Sequence, residues 1–158
     1  MHLFISTSGL ALSRIKNGHT ILDLPAFVKE QGFDGFEISD RELSTCSREY
    51  AKRLHKKCLQ NNCGIILDIN VDLTFPDKNA QINEIEHGKA MIRKALEIGA
   101  KRSRMSLGGQ SLSLQNLITG AKRFKALCSN KKRKKESKKY YPMQLFKFFA
   151  GQLIFYLA

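Results

Sequence analysis

The chain has 158 residues, of which 42% are hydrophobic and 26% charged, a composition typical of one globular domain. Its net charge is +13, but residues 122–158 carry +10 and residues 1–121 only +3, which excludes a body that is basic throughout. The four cysteines show neither CxxC spacing nor the density of a disulfide scaffold, and no signal-peptide pattern is visible. We therefore expect reduced thiols in a cytoplasmic protein.

Strands and helices are predicted to alternate through the first four fifths of the chain. Short apolar runs predict strands at residues 2–7, 35–39, 64–71 and 101–107. Apolar residues at helical spacing predict helices at residues 21–31, 47–62, 80–98 and 113–127. Gly32 and Gly99 follow two of these helices as C-terminal caps. The order is therefore four strand–helix units.

Regular alternation of this kind predicts an α/β protein with a parallel sheet and right-handed crossovers. Two closures fit the pattern, an open doubly wound sheet and a (β/α)8 barrel. Neither GxGxxG nor GxxxxGK[ST] follows the first strand, so the nucleotide-binding forms of the open sheet have no support.

Residues 128–158 depart from the alternation. The run KKRKK occupies residues 131–135, and Lys138 and Lys139 add two further cations. Residues 143–158 are apolar and aromatic with one charge, and they are shorter than the roughly 20 residues that a membrane-spanning helix needs. We predict a domain at residues 1–127 and an irregular basic tail at residues 128–158, outside the barrel or sheet.

Three segments carry a family resemblance: GFDGFEIS (residues 32–39), IILDINVDLTFPD (65–77) and ALEIGAKRSRMSLGG (95–109). In this order and spacing they resemble the sugar phosphate isomerase/epimerase superfamily, the TIM barrels similar to xylose isomerase. The resemblance covers residues 2–127 and implies a partial (β/α)8 barrel of about four units, the N-terminal half. It also implies an activity that moves protons on a sugar or polyol carbon with a divalent metal.

The resemblance further implies that the metal ligands (Glu, Asp, His and Glu) belong to strands five to eight, which residues 1–127 do not include. We therefore expect a truncated isomerase/epimerase-like protein that is inactive alone and binds no metal, with a frameshift or premature ending behind the basic tail. The alternative is a binding or interaction protein that uses the tail on nucleic acid or an anionic membrane. We expect no specific nucleic-acid recognition and no membrane insertion.

In such barrels the reacting groups lie at the C-terminal ends of the strands, and strands two and three carry polar residues there. Glu37, near the end of strand two, could bind a sugar hydroxyl or act as a base, or else pair with a nearby cation. Asp68, Asn70 and Asp72 share one face of strand three by the period of two. We take Asn70 and Asp72 as substrate-binding residues and Asp68 as satisfied within the sheet.

Three further residues are candidate substrate contacts. Gly108 and Gly109 end strand four and could admit a phosphate to the backbone. His19 lies in the first strand-to-helix loop, on the functional face of a barrel. No catalytic residue is assigned. The expected ligand is a sugar or sugar phosphate.

The edges of the sheet suggest a second kind of partner. Strands one and four would lack the neighbours that a closed barrel supplies, and unpaired edges favour association. We expect Leu3, Ile5, Met105 and Leu107 to be exposed there and the chain to self-associate.

Overall fold

The computed structural model describes residues 2–10, 18–74, 77–106, 118–120, 122–123, 143–149 and 152–157, the last two ranges by their backbone. A six-stranded sheet forms its centre. Four strands are parallel: β1 (Phe4–Ser6), β2 (Gly35–Ser39), β3 (Gly64–Ile69) and β4 (Arg102–Ser106). Two antiparallel strands follow, β5 (Met143–Phe149) and β6 (Gln152–Leu157), and the order across the sheet is β1-β2-β3-β4-β6-β5.

Helices connect the parallel strands. A 3-10 turn (Ile21–Asp23) leads into α1 (Leu24–Glu30), and the others are α2 (Asp40–Leu43), α3 (Arg48–Gln60) and α4 (Lys78–Glu97). Side-chain caps begin the two long helices, because Ser47 accepts a hydrogen bond from the Tyr50 amide and Asp77 from the Ala80 amide. None of the described helices is long and apolar enough to cross a membrane.

The α/β class expected from the sequence is confirmed. Each parallel strand lies within its predicted range, and α1, α3 and α4 coincide with three of the predicted helices. Residues 118–120 and 122–123 are helical, in the range of the predicted fourth helix. The short helix α2 was not predicted; it begins directly at the end of β2, where Ser39 caps it.

The hydrophobic core lies between the parallel strands and the helices. Alternate strand residues enter it because side chains along a strand point to opposite faces. Its fully buried strand residues include Phe36, Ile38, Leu67, Ile69 and Met105. The opposite face of the sheet is only partly buried and carries charged side chains.

The expected exposure of two edge residues is wrong. Met105 is fully buried and Ile5 packs against the core, because both lie on the helix-facing side of their strands. Leu3 is 48% exposed, as expected for the first edge. Leu107 lies outside the described residues.

A β-hairpin from the end of the chain lies beside β4. Strand β6 pairs with β4 in antiparallel register, with Arg104 opposite Ile154, and β5 pairs with β6 on the outer side. The fourth parallel strand is therefore not an open edge, contrary to the sequence expectation. The basic run at residues 131–139 lies outside the described residues.

Candidate functional site

Polar residues meet where β2 and β3 end. The amide nitrogen of the Asn70 side chain donates to Asp40 Oδ1 at 2.9 Å and to Ser39 Oγ at 3.2 Å. The Asn70 backbone amide donates to Asp40 Oδ2 at 2.9 Å. Because β2 and β3 are parallel neighbours, residues that follow them in the sequence meet at one edge of the sheet. We refer to Ser39, Asp40 and Asn70 as the carboxyl-edge cluster.

Helix α4 adds a histidine to this cluster. His87 Nε2 lies 2.9 Å from Asp40 Oδ2, and the side chain of Asp40 is 2% exposed while that of His87 is 40% exposed. Burial by itself would raise the pKa of Asp40, but the hydrogen bonds from Asn70 and His87 outweigh it and hold the pKa below its ordinary value. The buried carboxylate thus fixes the orientation of both partners.

A second group of charges lies on the sheet face opposite the helices. Arg104 Nη2 contacts Glu37 Oε1 at 2.9 Å and Asp68 Oδ2 at 3.0 Å, and its Nε contacts Asp68 Oδ1 at 3.2 Å. Asp68 and Arg104 are opposite each other in the β3–β4 pairing. Both oxygens of Asp68 are therefore used within the sheet, whereas Oε2 of Glu37 has no partner among the described residues.

Within this group of charges, the surroundings of Glu37 change its pKa. Burial raises the pKa of Glu37 above its ordinary value; Arg104 opposes the rise and Asp68 adds to it. The two carboxylates share one guanidinium, which leaves the three residues with a formal charge of −1 when both are ionised. Glu37 therefore takes up a proton at a higher pH than an ordinary glutamate does.

These residues do not fit a divalent cation. The described residues contain no group of three or more His, Cys, Asp or Glu side chains placed to hold a metal ion. The two carboxylates that lie closest on the open sheet face already bind the Arg104 guanidinium. A hard cation would have to displace that guanidinium.

The remaining predicted residues are dispersed. Asp72 accepts hydrogen bonds from the backbone amide and hydroxyl of Thr74, and its own backbone amide donates to Glu84. His19 is exposed, with its ring tilted against Phe27 at a centroid distance of 5.7 Å. Gly108 and Gly109 lie outside the described residues. The structure thus brings Asn70 and Glu37 close to other polar groups, and places Asp72 in a local turn.

Sequence reasoning missed four residues of these clusters: Ser39, Asp40, His87 and Arg104. Asp40 follows a predicted strand, so its position was a usable signal. His87 lies on helix α4, and its contact with Asp40 spans 47 residues of sequence. No local pattern identifies such a partner.

A cavity of about 450 Å³ lies at the other end of the sheet, where the strands begin. Gly64 and Arg102, the first residues of β3 and β4, contribute to its wall, together with His55, Cys58 and Cys63. The carboxyl-edge cluster and this cavity are therefore two separate features.

Comparison with solved structures identifies the fold. A crystal structure of D-psicose 3-epimerase in the presence of D-fructose matches 81% of the chain with a TM-score of 0.63 and 10% sequence identity. Protein SMc04130 from Sinorhizobium meliloti 1021 matches 80% of it with a TM-score of 0.55 and 14% identity. No family model matches the sequence, and no curated protein matches it.

The chain spans about half the length of these structures, 47% of the first and 45% of the second. At these identities the likeness shows the fold, which confirms the partial barrel expected from the sequence. It also confirms that the resemblance to sugar isomerases and epimerases extends to the fold.

Proposed function

We propose that this chain forms the sugar-binding half of an isomerase- or epimerase-like barrel and does not carry out the proton transfer alone. The carboxyl-edge cluster carries the proposal, because barrels of this kind bind substrate at the C-terminal ends of their strands. The epimerase of the same fold is described with D-fructose, which supports a ketose as the ligand class.

Asn70 is the residue best prepared to bind a hydroxyl group. Both hydrogens of its side-chain amide are used, one by Ser39 and one by Asp40. Its Oδ1 atom has no partner among the described residues, and the residue is exposed. An acceptor held in one orientation loses little rotamer entropy when a sugar hydroxyl binds to it.

Glu37 supplies a second group on the open face of the sheet. Arg104 holds one carboxyl oxygen and leaves the other for a ligand. Its raised pKa favours the protonated form more than for an ordinary glutamate, so the group can either donate to or accept from a hydroxyl. Asp72, His19, Gly108 and Gly109 remain proposed contacts of the same substrate.

The binding proposal is tested with D-fructose and amide chemical shifts of the labelled full-length chain. We expect saturable shifts at residues 37–40 and 68–72 with a dissociation constant of roughly 1 mM or weaker, as befits a few solvated hydrogen bonds. Asn70→Ala should abolish them, and Asn83→Ala, the same change on an exposed turn of α4, should not.

Glu37→Gln provides an independent variant, since it keeps the shape of the side chain, and Glu49→Gln on the exposed face of α3 is its control. Loss of binding in both Asn70→Ala and Glu37→Gln, with near-ultraviolet circular dichroism unchanged, would support the proposal. Unsaturable shifts, or equal binding by Asn70→Ala and the unmodified chain, would refute it.

The second part of the proposal concerns metal. Because Arg104 occupies the two carboxylates of the sheet face, calorimetry with Mn²⁺ or Mg²⁺ should give weak heats without a one-to-one site. A single site of about micromolar affinity (near −8 kcal/mol) would contradict it. The chain with Mn²⁺ should likewise exchange no carbon-bound hydrogen of D-fructose with solvent.

A further inference from the structure

Three helices end in the same backbone turn. In each, a residue with positive φ follows the helix: Gly32 at +82°, Asn62 at +46° and Gly99 at +73°. The next amide then bonds back to a carbonyl five residues earlier, from Phe33 to Val28, from Cys63 to Cys58 and from Ala100 to Ala95. This is the Schellman motif, which places the side chains of its first and last residues against each other.

The second of these turns differs in its chemistry. The facing pairs after α1 and α4 are hydrocarbon, Val28 with Phe33 and Ala95 with Ala100, whereas the pair after α3 is Cys58 with Cys63. The two thiols are close enough for each to shift the pKa of the other. The Cys63 thiol also lies 3.7 Å from the Gly64 carbonyl, to which it donates weakly when protonated.

The turn also sets the distance that a disulfide needs. The Cys63 amide lies 2.9 Å from the Cys58 carbonyl oxygen. Standard bond lengths then limit the separation of the two Cα atoms to about 7 Å, near the upper end of the roughly 4.4–6.8 Å that disulfides span. Oxidation therefore requires rotation of the side chains and at most a small movement of the backbone.

Both cysteines line the cavity at the beginning of the strands. Cys58 is 4% exposed and Cys63 8%, so reagents reach them through the cavity. Among the described residues, its wall also carries the basic residues Lys101 and Arg102 and the imidazoles of His2 and His55, with Asp34 as the one acidic side chain. This balance favours an anionic ligand.

The two thiols are not equivalent. The neighbouring Cys58 thiol, helped by the charge of Lys29, lowers the pKa of Cys63 below its ordinary value although burial opposes this. The Cys63 thiol and burial raise the pKa of Cys58. Cys63 is thus the thiol that ionises first, and the thiolate is the reactive form of cysteine.

We propose that Cys58 and Cys63 form a redox-active dithiol that reacts with small anionic disulfides in the cavity. No further His, Cys, Asp or Glu among the described residues completes a metal site with them. The dithiol is separate from the proposed sugar-binding edge and does not depend on it.

The reaction is a pair of thiol–disulfide exchanges. The Cys63 thiolate attacks one sulfur of the disulfide, which forms a mixed disulfide at Cys63 and releases one thiolate. Cys58 then gives up its proton and attacks the Cys63 sulfur, which forms the Cys58–Cys63 bond and releases the second thiolate. The two released thiolates take the two protons of the protein thiols, so two thiols and one disulfide give one protein disulfide and two small thiols.

The test uses oxidised glutathione as the anionic disulfide and the full chain with Cys46→Ser and Cys128→Ser, so that the dithiol supplies the remaining thiols. Mass spectrometry should show the loss of two hydrogens and a peptide linkage between residues 58 and 63. Adding Cys58→Ser should stop the reaction at a glutathionyl adduct on Cys63. Adding Cys63→Ser should slow the modification of Cys58 by roughly tenfold or more.

The charge argument is tested by comparison of oxidised glutathione with cystamine, a cationic disulfide. Relative to a short unstructured dithiol peptide, the protein should prefer the anionic reagent by roughly fivefold, and salt should reduce this preference. Lys101→Gln should weaken it, whereas Lys52→Gln on the exposed side of α3 should not.

Three outcomes would overturn the proposal: thiols that resist oxidation in the folded chain, a disulfide that forms between molecules instead of within one, or equal rates with the two reagents. Resistance to oxidation would mean that the cysteines act as small apolar side chains, like the pairs in the other two turns. A disulfide between molecules would refute the internal dithiol, and equal rates would refute the selection of anionic disulfides.

Discussion

The side chain of Ser103 places a hydroxyl group in the buried core. It lies in β4 on the helix-facing side, is fully buried, and its Oγ atom has no hydrogen-bond partner among the described residues. A buried polar group without a partner costs about 1–3 kcal/mol of stability, because it loses its bonds to water.

Replacement of this hydroxyl should therefore stabilise the protein. We expect Ser103→Ala to raise the free energy of unfolding by about 0.5–1 kcal/mol, measured by urea titration. Ser44→Ala, which removes an exposed hydroxyl bonded to the Arg41 carbonyl, should lower it slightly or leave it unchanged. A clear loss of stability in Ser103→Ala would indicate that Oγ has a partner.

Arg104 balances two carboxylates, and its removal should make stability depend on pH. In Arg104→Gln, Glu37 and Asp68 repel each other when ionised, so we expect a loss of roughly 1–2 kcal/mol at pH 7. The already raised pKa of Glu37 should rise further.

The sign of the pH effect follows from this direction. A carboxyl group whose pKa is raised by folding contributes its stability below the unfolded pKa, about 4.3 for Glu, and loses it as the pH rises through the folded value. The deficit of Arg104→Gln relative to the unmodified chain should therefore shrink in acid. Urea titrations at pH 7 and pH 4.5 measure it, with Arg93→Gln on an exposed turn of α4 as control. A deficit of equal size at both pH values would contradict the repulsion argument.

The sequence could locate candidate residues but not their partners. Glu37 and Asn70 were identifiable because they follow or end apolar strand runs, and the ends of parallel strands converge. The contacts that determine their chemistry join residues 67 positions apart (Glu37 with Arg104) and 30 apart (Asn70 with Asp40). These contacts depend on strand order and register, which no local pattern contains.

Two separate factors favour glycine after α4, the backbone conformation and the lack of space for a side chain. Gly99 and Gly32 both have positive φ, but only at Gly99 would an added Cβ atom collide with another side chain, the ring of His55. Gly32 has no atom within 4 Å of that position. A comparison of alanine substitutions at Gly32 and Gly99 therefore distinguishes the cost of backbone strain from the cost of steric overlap.

We expect Gly32→Ala to lower the free energy of unfolding by about 1–2 kcal/mol, the cost of a left-handed residue. Gly99→Ala should cost more, because the His55 ring must also move. The double variant His55→Ala with Gly99→Ala, compared with His55→Ala alone, should return the cost to that of Gly32→Ala. Denaturant titration of the four variants measures these differences, and equal costs for the two glycines would show that the ring moves freely.

At the scale of elements, the sequence predicts the strands and helices that short stretches of sequence mark by themselves. The apolar runs and the glycine caps specified four strands and three helices nearly to the residue. The terminal hairpin was missed because residues 143–158 form an apolar run without the period of two and without a partner strand in sequence. Its strand conformation depends on the pairing of β6 with β4, whose residues lie 46 to 54 positions earlier in the chain.

At the scale of the whole molecule, the hairpin changes which strands are outermost. The order β1-β2-β3-β4-β6-β5 leaves β1 and β5 at the two edges. Strand β1 has three residues, and β5 has seven. An edge of seven residues presents more unpaired backbone groups than an edge of three, so β5 is the stronger template for association.

We therefore retain the prediction that the chain self-associates, now through the β5 edge. Light scattering should give a mass above the 17.9 kDa of one chain that rises with protein concentration.

Ile154→Pro tests the role of the hairpin. It removes a backbone N–H from β6, the strand between β4 and β5, and so weakens the hydrogen bonding of β6 to one of these two strands. Release of the hairpin would replace the seven-residue edge of β5 by the five residues of β4, so association should weaken. Ile154→Thr keeps the N–H and the β-branched shape and should behave like the unmodified chain. A monomer of constant mass in all three proteins would mean that neither edge is available for pairing.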